Sequence, residues 1–381
     1  MADSNTVPKA RCVSEHARFR DRVDMVALPG GHRAWVVGGY DDVARLLADS
    51  RLALNKVRSR DGYKGFSLPP SLDANLLNMD GADHTRVRAL AAPAFTRRSV
   101  AQLDAMVTDV ATHQVNTLTA DGPVDLLADV CVPVPATVIG RLLGVPSSVF
   151  APLRDAATAM VCFDAESPDS LRRLVTAVGF LTDTFERLVG DKRGSGIDDG
   201  LISEWVRAVD GDSSLSDEEV VSLAFLLMLA GLENTAHLLG NVFAALLSAP
   251  EQPQAAWSCR RQALMEQANP APFAIRRFAI EDVPVGDTVV PAGATVLLSL
   301  AAADTDPQRG KRPSLMFGRG PHYCLGARIS EAMIDAVVNA FTARWPHARL
   351  AETVDDLAYR DSWRTHGLVS LPVVLDTGTL A

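Results

Sequence analysis

No Cys-x-x-Cys pair occurs among the five cysteines (Cys12, Cys131, Cys162, Cys259 and Cys324), which are odd in number and far apart. That absence argues against a cysteine-built zinc or iron–sulfur centre and against a disulfide framework. An excess of positive charge is also lacking: 37 basic against 46 acidic residues leave a net −9. No broad cationic surface is available to release counterions, so nucleic acid is not an expected partner. Met1 to Arg20 is polar and charged and has no apolar core for a signal peptide, which points to the cytoplasm. No repeat and no composition break divides the chain, so residues 1–381 are expected to form one domain.

What is present reads as globular: 48% hydrophobic and 22% charged residues. Val220 to Ala249 is apolar almost throughout and long enough to span a bilayer. Its middle carries Glu233, Asn234, Thr235 and His237, which would sit at the most costly depth. Ser216 and Glu219 form a capping-box pattern, Leu215 and Val220 can staple it, and Asp217 and Glu218 suit the positive end of the helix dipole. These features predict a buried core helix and no membrane span.

Around this helix, Ala34 to Val37 reads as a strand ended by Gly38-Gly39, with a helix from Tyr40 to Ala48. Ser67 to Leu72 reads as loop, Val100 to Leu118 and Val149 to Val189 as helical, and Asp191 to Gly200 as a flexible connection. Thr288 to Val290 and Thr295 to Ser299 flank Pro291-Ala292-Gly293 as a strand–turn–strand. Gly326 to Arg344 is a last long helix, and His366 to Leu375 has strand character. A mainly α fold with small β elements is expected.

The sharpest chemical signal is Phe317-Gly318-Arg319-Gly320-Pro321-His322-Tyr323-Cys324-Leu325-Gly326. Gly318 and Gly320 permit a tight loop with positive φ, and Gly326 lets a flat ligand approach the backbone. Cys324 lies at a helix start, where free N–H groups and the dipole favour a thiolate. A thiolate held this way suits a haem iron. A lone cysteine beside a turn is ordinarily structural; the completeness of the loop is what shifts the reading. His84 and Arg88 stand four apart, so a helix puts them on one face, where two donors suit paired carboxylates. Ala230-Gly231-Leu232-Glu233-Asn234-Thr235 places a glycine and a polar triplet inside the apolar helix, costly features unless something approaches closely or the polar groups work.

The Cys324 loop resembles the haem-binding loop of the cytochromes P450, Phe-Gly-x-Gly-x-His-x-Cys-x-Gly, at every fixed position, and the likeness extends from the Trp35 strand to Gly367-Leu368. The resemblance implies the P450 fold with the long helix over haem b, and Cys324 as axial iron ligand. It implies haem contacts from His84, Arg88, Ala230, Gly231, Arg277, Phe317, Gly318, His322 and Gly326. By the same resemblance Glu233, Asn234 and Thr235 belong to the oxygen side, and Leu76, Asn78, Met79, Phe273 and Leu368 to the substrate-lining surface. No nucleotide-binding glycine motif or ferredoxin-like cysteine run is present. Electrons from NAD(P)H are therefore expected through ferredoxin and ferredoxin reductase, docked on Arg97, Arg98, Lys311, Arg312, Arg319 and Arg328.

Three departures from the family pattern stand out. Asn234 occupies the place of the proton-relay threonine, and Thr235, about 100° further round the helix, cannot simply substitute. No Glu-x-x-Arg occurs near Leu264 to Gln267. Only nine residues separate Pro307 from Phe317, a stretch that usually supplies a further arginine to the same brace. Loss of the whole triad is the expectation, since one partner left alone would be costly. The resulting reading is a monooxygenase that hydroxylates or epoxidises a small hydrophobic natural-product intermediate. Oxidative ring closure or coupling at the same haem is one alternative. A non-catalytic helper subunit of the kind that partners glycosyltransferases is another.

Overall fold

Ser216 caps the longest helix as its sequence predicts. Its hydroxyl accepts from the Glu219 N–H at 3.1 Å, while the Glu219 carboxylate accepts from the Ser216 N–H at 2.9 Å. The computed structural model describes residues 6–10, 13–60, 62, 69–97, 100–161, 167–193, 199–212, 215–249 and 252–376. In chain order the helices are α1 (Val13–His16), α2 (Tyr40–Leu46), α3 (Pro70–Asp73), α4 (Gly81–Arg97), α5 (Val100–Asn116), α6 (Pro133–Leu143) and α7 (Phe150–Val161). They continue with α8 (Pro168–Lys192), α9 (Leu201–Asp212), α10 (Asp217–Leu247), α11 (Pro253–Gln267), α12 (Leu300–Asp304) and α13 (Ala327–Arg344).

The strands are short: β1 (Asp24–Ala27), β2 (Arg33–Val37), β3 (Leu52–Ala53), β4 (Val124–Asp125), β5 (Arg277–Ala279), β6 (Val283–Val285), β7 (Thr288–Val290), β8 (Thr295–Leu298), β9 (Arg349–Leu350) and β10 (Pro372–Val374). Five form a sheet in the order β1-β2-β8-β5-β3, with β2 parallel to β8 in the register Trp35 to Val296. β4, β10 and β9 make a second sheet, and β6 pairs with β7.

The strands expected around Pro291-Ala292-Gly293 both exist but do not pair with each other. β8 carries the buried run Val296-Leu297-Leu298 and takes a central place between β2 and β5, while β7 pairs with β6 and leaves Val289 exposed. A continuous apolar run suits a strand covered on both faces. Ser67 and Leu68 lie outside the described residues, but Pro70 to Leu72, also expected as loop, form most of the short helix α3 with its proline at the first helical position. Of His366 to Leu375 only Pro372–Val374 is strand.

The α10 helix is the axis of the main core. It packs against α3, α6, α8, α11 and α13, and 67% of its most apolar stretch is buried. It is long and apolar enough to cross a membrane, yet that surface is spent on the protein interior. Fully burying each of its leucine, valine and phenylalanine side chains contributes about 1.5–3 kcal/mol.

Candidate active site

The Cys324 loop is shaped by its glycines. Gly318 and Gly320 have φ of 73° and 75°. Gly320 is doubly constrained, because a Cβ there would meet the Ala48 Cβ at 2.9 Å at the end of α2. The Gly318 N–H donates to the Leu315 carbonyl at 2.7 Å, and the Cys324 N–H to the Phe317 carbonyl at 3.0 Å, which closes the loop on itself. Gly326 then caps α13. No protein atom comes nearer than 3.8 Å to a Cβ built on Gly326, so protein packing does not explain its being glycine.

Backbone N–H groups of Gly326 and Ala327 donate to the Cys324 sulfur, and the Arg88 charge adds to their effect. Burial nonetheless outweighs them and pushes the thiol above its ordinary value. The helix start alone therefore does not make the expected thiolate; a metal cation at the sulfur would tip the balance. The Cys324 residue is still accessible from outside the protein.

Four cationic or basic side chains stand beside this loop. His84 and Arg277 are 3% and 4% exposed, and His84 Nε2 and Arg277 Nε are buried with no hydrogen-bond partner among the described residues. The His84 and His322 rings lie 4.0 Å apart. Burial, then His84, Arg277 and Arg88, push His322 down to about 3, while its ring donates to the Leu76 carbonyl. Arg277 is lowered to about 10 by burial, opposed only by Asp80, whose carboxylate already accepts from the Leu54 and Asn55 N–H groups at 2.8 Å. Arg88 donates to the Tyr323 carbonyl at 2.6 Å. Burial also lowers His84, so both histidines are neutral near pH 7. The positive charge here is that of Arg88 and Arg277, of which the buried Arg277 charge is costly unless an anion joins it. The propionates of a haem whose iron meets Cys324 fit it.

On α10, Asn234 is exposed and donates weakly back to the Ala230 carbonyl at 3.4 Å, and Ala230 is half-buried. Thr235 is turned the other way: its hydroxyl lies 3.1 Å from Ser330 of α13 and is buried there. Its grouping with Glu233 and Asn234 is thus corrected by the rotation of one residue on a helix. Gly231 has a packing reason, since a Cβ would meet Ile139 of α6 at 2.9 Å. Protein packing against Ile139 is therefore one close approach that this glycine allows.

The expected substrate-lining residues do not share one open surface. Leu76 and Leu368 are buried in the main core, Phe273 packs on His16 and Trp363, and Asn78 is tied to Asp73 and Arg276. Met79 alone of the five is a half-buried apolar side chain not fully enclosed. Of the expected docking residues, Arg312 pairs with Asp41 and Arg328 with Asp104, while Lys311 and Arg319 are exposed. Arg98 lies outside the described residues, and Arg97 is placed only as the end of α4.

The brace expected to be lost is present in another form. Glu266, at the end of α11, accepts two bonds from Arg309 at 2.7 and 3.0 Å. Arg309 also donates to the Asp304 carbonyl at 2.9 Å. The Asp304 carboxylate in turn accepts from the Ser314 hydroxyl and the Leu315 N–H, both at 2.7 Å, and Leu315 opens the cysteine loop. Burial raises Glu266, but the bonds from Arg309 and Gln262 hold it below its ordinary value. The shortened segment after Pro307 thus still supplies its arginine. Sequence reading missed the pair because an acid stands at a place searched for a glutamate three residues ahead of an arginine.

No family model matches the chain. Vitamin D(3) 25-hydroxylase of Pseudonocardia autotrophica is 32% identical to it over 379 residues, covering 94% of this chain and 92% of that protein. Cytochrome P450 monooxygenase PikC of Streptomyces venezuelae is 33% identical over 373 residues, covering 91% and 86%. The tirandamycin C-bound P450 monooxygenase TamI has a similar structure, with TM-score 0.84 and 32% identity over 95% of this chain and 97% of that one. The cysteine loop, the helical fold around it and these relatives together show that the chain belongs to the cytochrome P450 family. It is an oxidoreductase of the monooxygenase class that uses haem b, electrons drawn from NAD(P)H through redox partners, and a small-molecule substrate.

Proposed function

We propose that the protein is a cytoplasmic monooxygenase that hydroxylates or epoxidises a small hydrophobic natural-product intermediate, with electrons delivered by a ferredoxin and its reductase. The observation that carries this reading is the convergence of the Cys324 sulfur, its two N–H donors and a rim in which buried His84 Nε2 and Arg277 Nε lack partners among the described residues. Cys324 would hold the iron, and His84, Arg88 and Arg277 the propionates, each charge-assisted bond contributing on the order of 1.5–3 kcal/mol. Haem b, when bound, supplies the redox centre at which dioxygen is reduced. The chain's own part is to hold the sulfur in a fixed loop, keep its donors aimed, and bring protons to the oxygen side through Glu233. A hydroxylase and a natural-product-bound monooxygenase among the similar proteins support the substrate class. Exposed Lys311 and Arg319 are the part of the expected basic face that supports an acidic ferredoxin.

Asn234 favours one second reading, oxidative ring closure or coupling, because an amide binds water or dioxygen without relaying a proton in one step. The helper-subunit reading loses its main support, since Glu266 and Arg309 restore a brace. Replacing Cys324 with Ser tests the proposal. The red-shifted Soret band of the reduced, carbon-monoxide-treated protein is expected in the wild type and absent in the variant. A wild type that binds haem and never shows that band overturns it.

A further inference from the structure

Glu233, His237 and Asn241 follow one another at four-residue steps, so they form a single polar stripe along the otherwise apolar α10. The stripe faces a chain reversal in which the Val369 N–H donates to the Ala358 carbonyl at 2.8 Å and the Arg360 N–H to the Gly367 carbonyl at 2.9 Å. Arg360 reaches within 3.7 Å of Glu233 Oε1 from one side, and His237 Nε2 within 3.6 Å from the other. Gly367 lies flat against the imidazole: a Cβ there would stand 2.5 Å from Nδ1, so the glycine is what lets the ring sit in place. Asn241 donates to the His366 carbonyl at 2.8 Å and the Ala268 carbonyl at 3.1 Å.

Three polar atoms on this stripe, Glu233 Oε1, His237 Nδ1 and Asn241 Oδ1, are buried and have no hydrogen-bond partner among the described residues. His237 and Asn241 are 3% and 5% exposed. Buried polar groups in native proteins are paired, and where protein offers no partner ordered water does. Three such atoms in one line on one helix face describe a site for a short water file.

Building on the monooxygenase reading above, we infer that His237 passes protons to Glu233 along a water file lined by Asn241 and edged by Arg360, a route that stands in for the threonine replaced by Asn234. The step balances without any further reactant. His237 takes a proton on Nδ1 from the water file and gives the Nε2 proton to Glu233 Oε1, 3.6 Å away, through one bridging water of the file, then returns to its starting tautomer by exchange through the same water. The file refills from solvent at its Arg360 edge, where that side chain is 25% exposed. The groups facing His237 are Glu233 and Asn241 on its own helix, and Arg360, His366 and Tyr359 across from it. His366, stacked on Tyr359 at 4.9 Å, is lowered to about 4 by burial and then by His237. It therefore stays neutral near pH 7 and does not repel a charged His237. His237 touches neither haem nor substrate; it is a positioning and proton-passing residue.

Two measurements test the route. A crystal structure of the wild-type holoenzyme should show ordered waters bonded to Glu233 Oε1, His237 Nδ1 and Asn241 Oδ1; a dry stripe overturns the inference. With NADPH and a surrogate ferredoxin–reductase pair, oxygen consumption and peroxide release are then compared in H2O and D2O. His237→Phe should slow oxygen consumption about tenfold, raise the peroxide share and change the solvent isotope effect, while His237→Gln, which keeps a hydrogen-bonding side chain, should lose less. Gly367→Ala, which displaces the ring without removing it, should reproduce part of the loss. A His237→Phe variant that keeps all three readouts within twofold of wild type sinks the route. The carbon monoxide band of each variant is read separately, so failure of the haem-thiolate reading is not mistaken for failure of the route.

Discussion

The cysteine loop and the brace beneath it differ in how they meet the family pattern, although Asp304 and Leu315 join them directly. Every fixed position of the loop is filled by the expected residue, and several have a local reason: positive φ at Gly318 and Gly320, the Ala48 contact at Gly320, and backbone N–H donors to the Cys324 sulfur. In the brace the expected residues are gone, and Glu266 with Arg309 supplies the same kind of force from other places. A loop that must present one sulfur atom along one line has few solutions. An ion pair that has only to tie α11 to the segment after Pro307 has many, because charge attraction depends on distance and burial rather than on a spacing along the chain.

The largest effect that would break this comparison is at Arg309. Arg309→Ala leaves Glu266 and the buried Asp304 facing each other, and should cost about 3–5 kcal/mol in denaturant unfolding, with loss of haem on purification. Glu266→Ala should cost less, because Arg309 keeps the Asp304 carbonyl and lies 4.0 Å from its carboxylate. The pH dependence separates them. In the wild type, burial already raises Asp304 and Glu266 adds to it. A carboxyl raised in the folded state stabilises at low pH and loses that contribution as pH rises through its folded value. The Arg309→Ala deficit should therefore shrink as the pH falls from 7, and a deficit independent of pH would show that the pair does not brace through charge.

A middle-sized effect concerns the rim. Arg88→Ala and Arg277→Ala should each lower haem affinity by on the order of 1.5–3 kcal/mol, read as haem transfer to apomyoglobin, with secondary structure unchanged. Arg277 should have the larger effect, since Arg88 also has the Tyr323 carbonyl. Unchanged transfer rates in the double variant would remove the propionate assignment. The smallest effect is at Asn234. Asn234→Thr should lower the peroxide share by two- to threefold in a hydroxylase, and shift product rather than rate in an enzyme built for coupling.

Much of the molecule was legible because its causes are local. The capping box at Ser216 and Glu219, the apolar run of α10 and the glycine pattern before Cys324 are each decided within a few residues. The orientation of Thr235 was half legible: helix rotation separates it from Asn234, but only the fold brings Ser330 to meet it. Glu266 and Arg309 lie 43 residues apart, and no spacing rule joins them. The four-residue spacing of Glu233, His237 and Asn241 was not read from the sequence, because Arg360 and Gly367, which give the stripe a second wall, come from more than a hundred residues later. Leu76 and Leu368 lie in the main core, and a resemblance carries over a position and not the direction of a side chain.

The Thr235–Ser330 contact has a mechanical consequence. It joins the helix that carries Asn234 to the helix that begins just after Cys324, through two short hydroxyl side chains with little slack. Such a contact works like the closed end of a jaw. It ties α10 to α13 at the level of Thr235, so the spacing of these two helices is set by a pair of short hydroxyl side chains, and a larger side chain at either position would push the helices apart there.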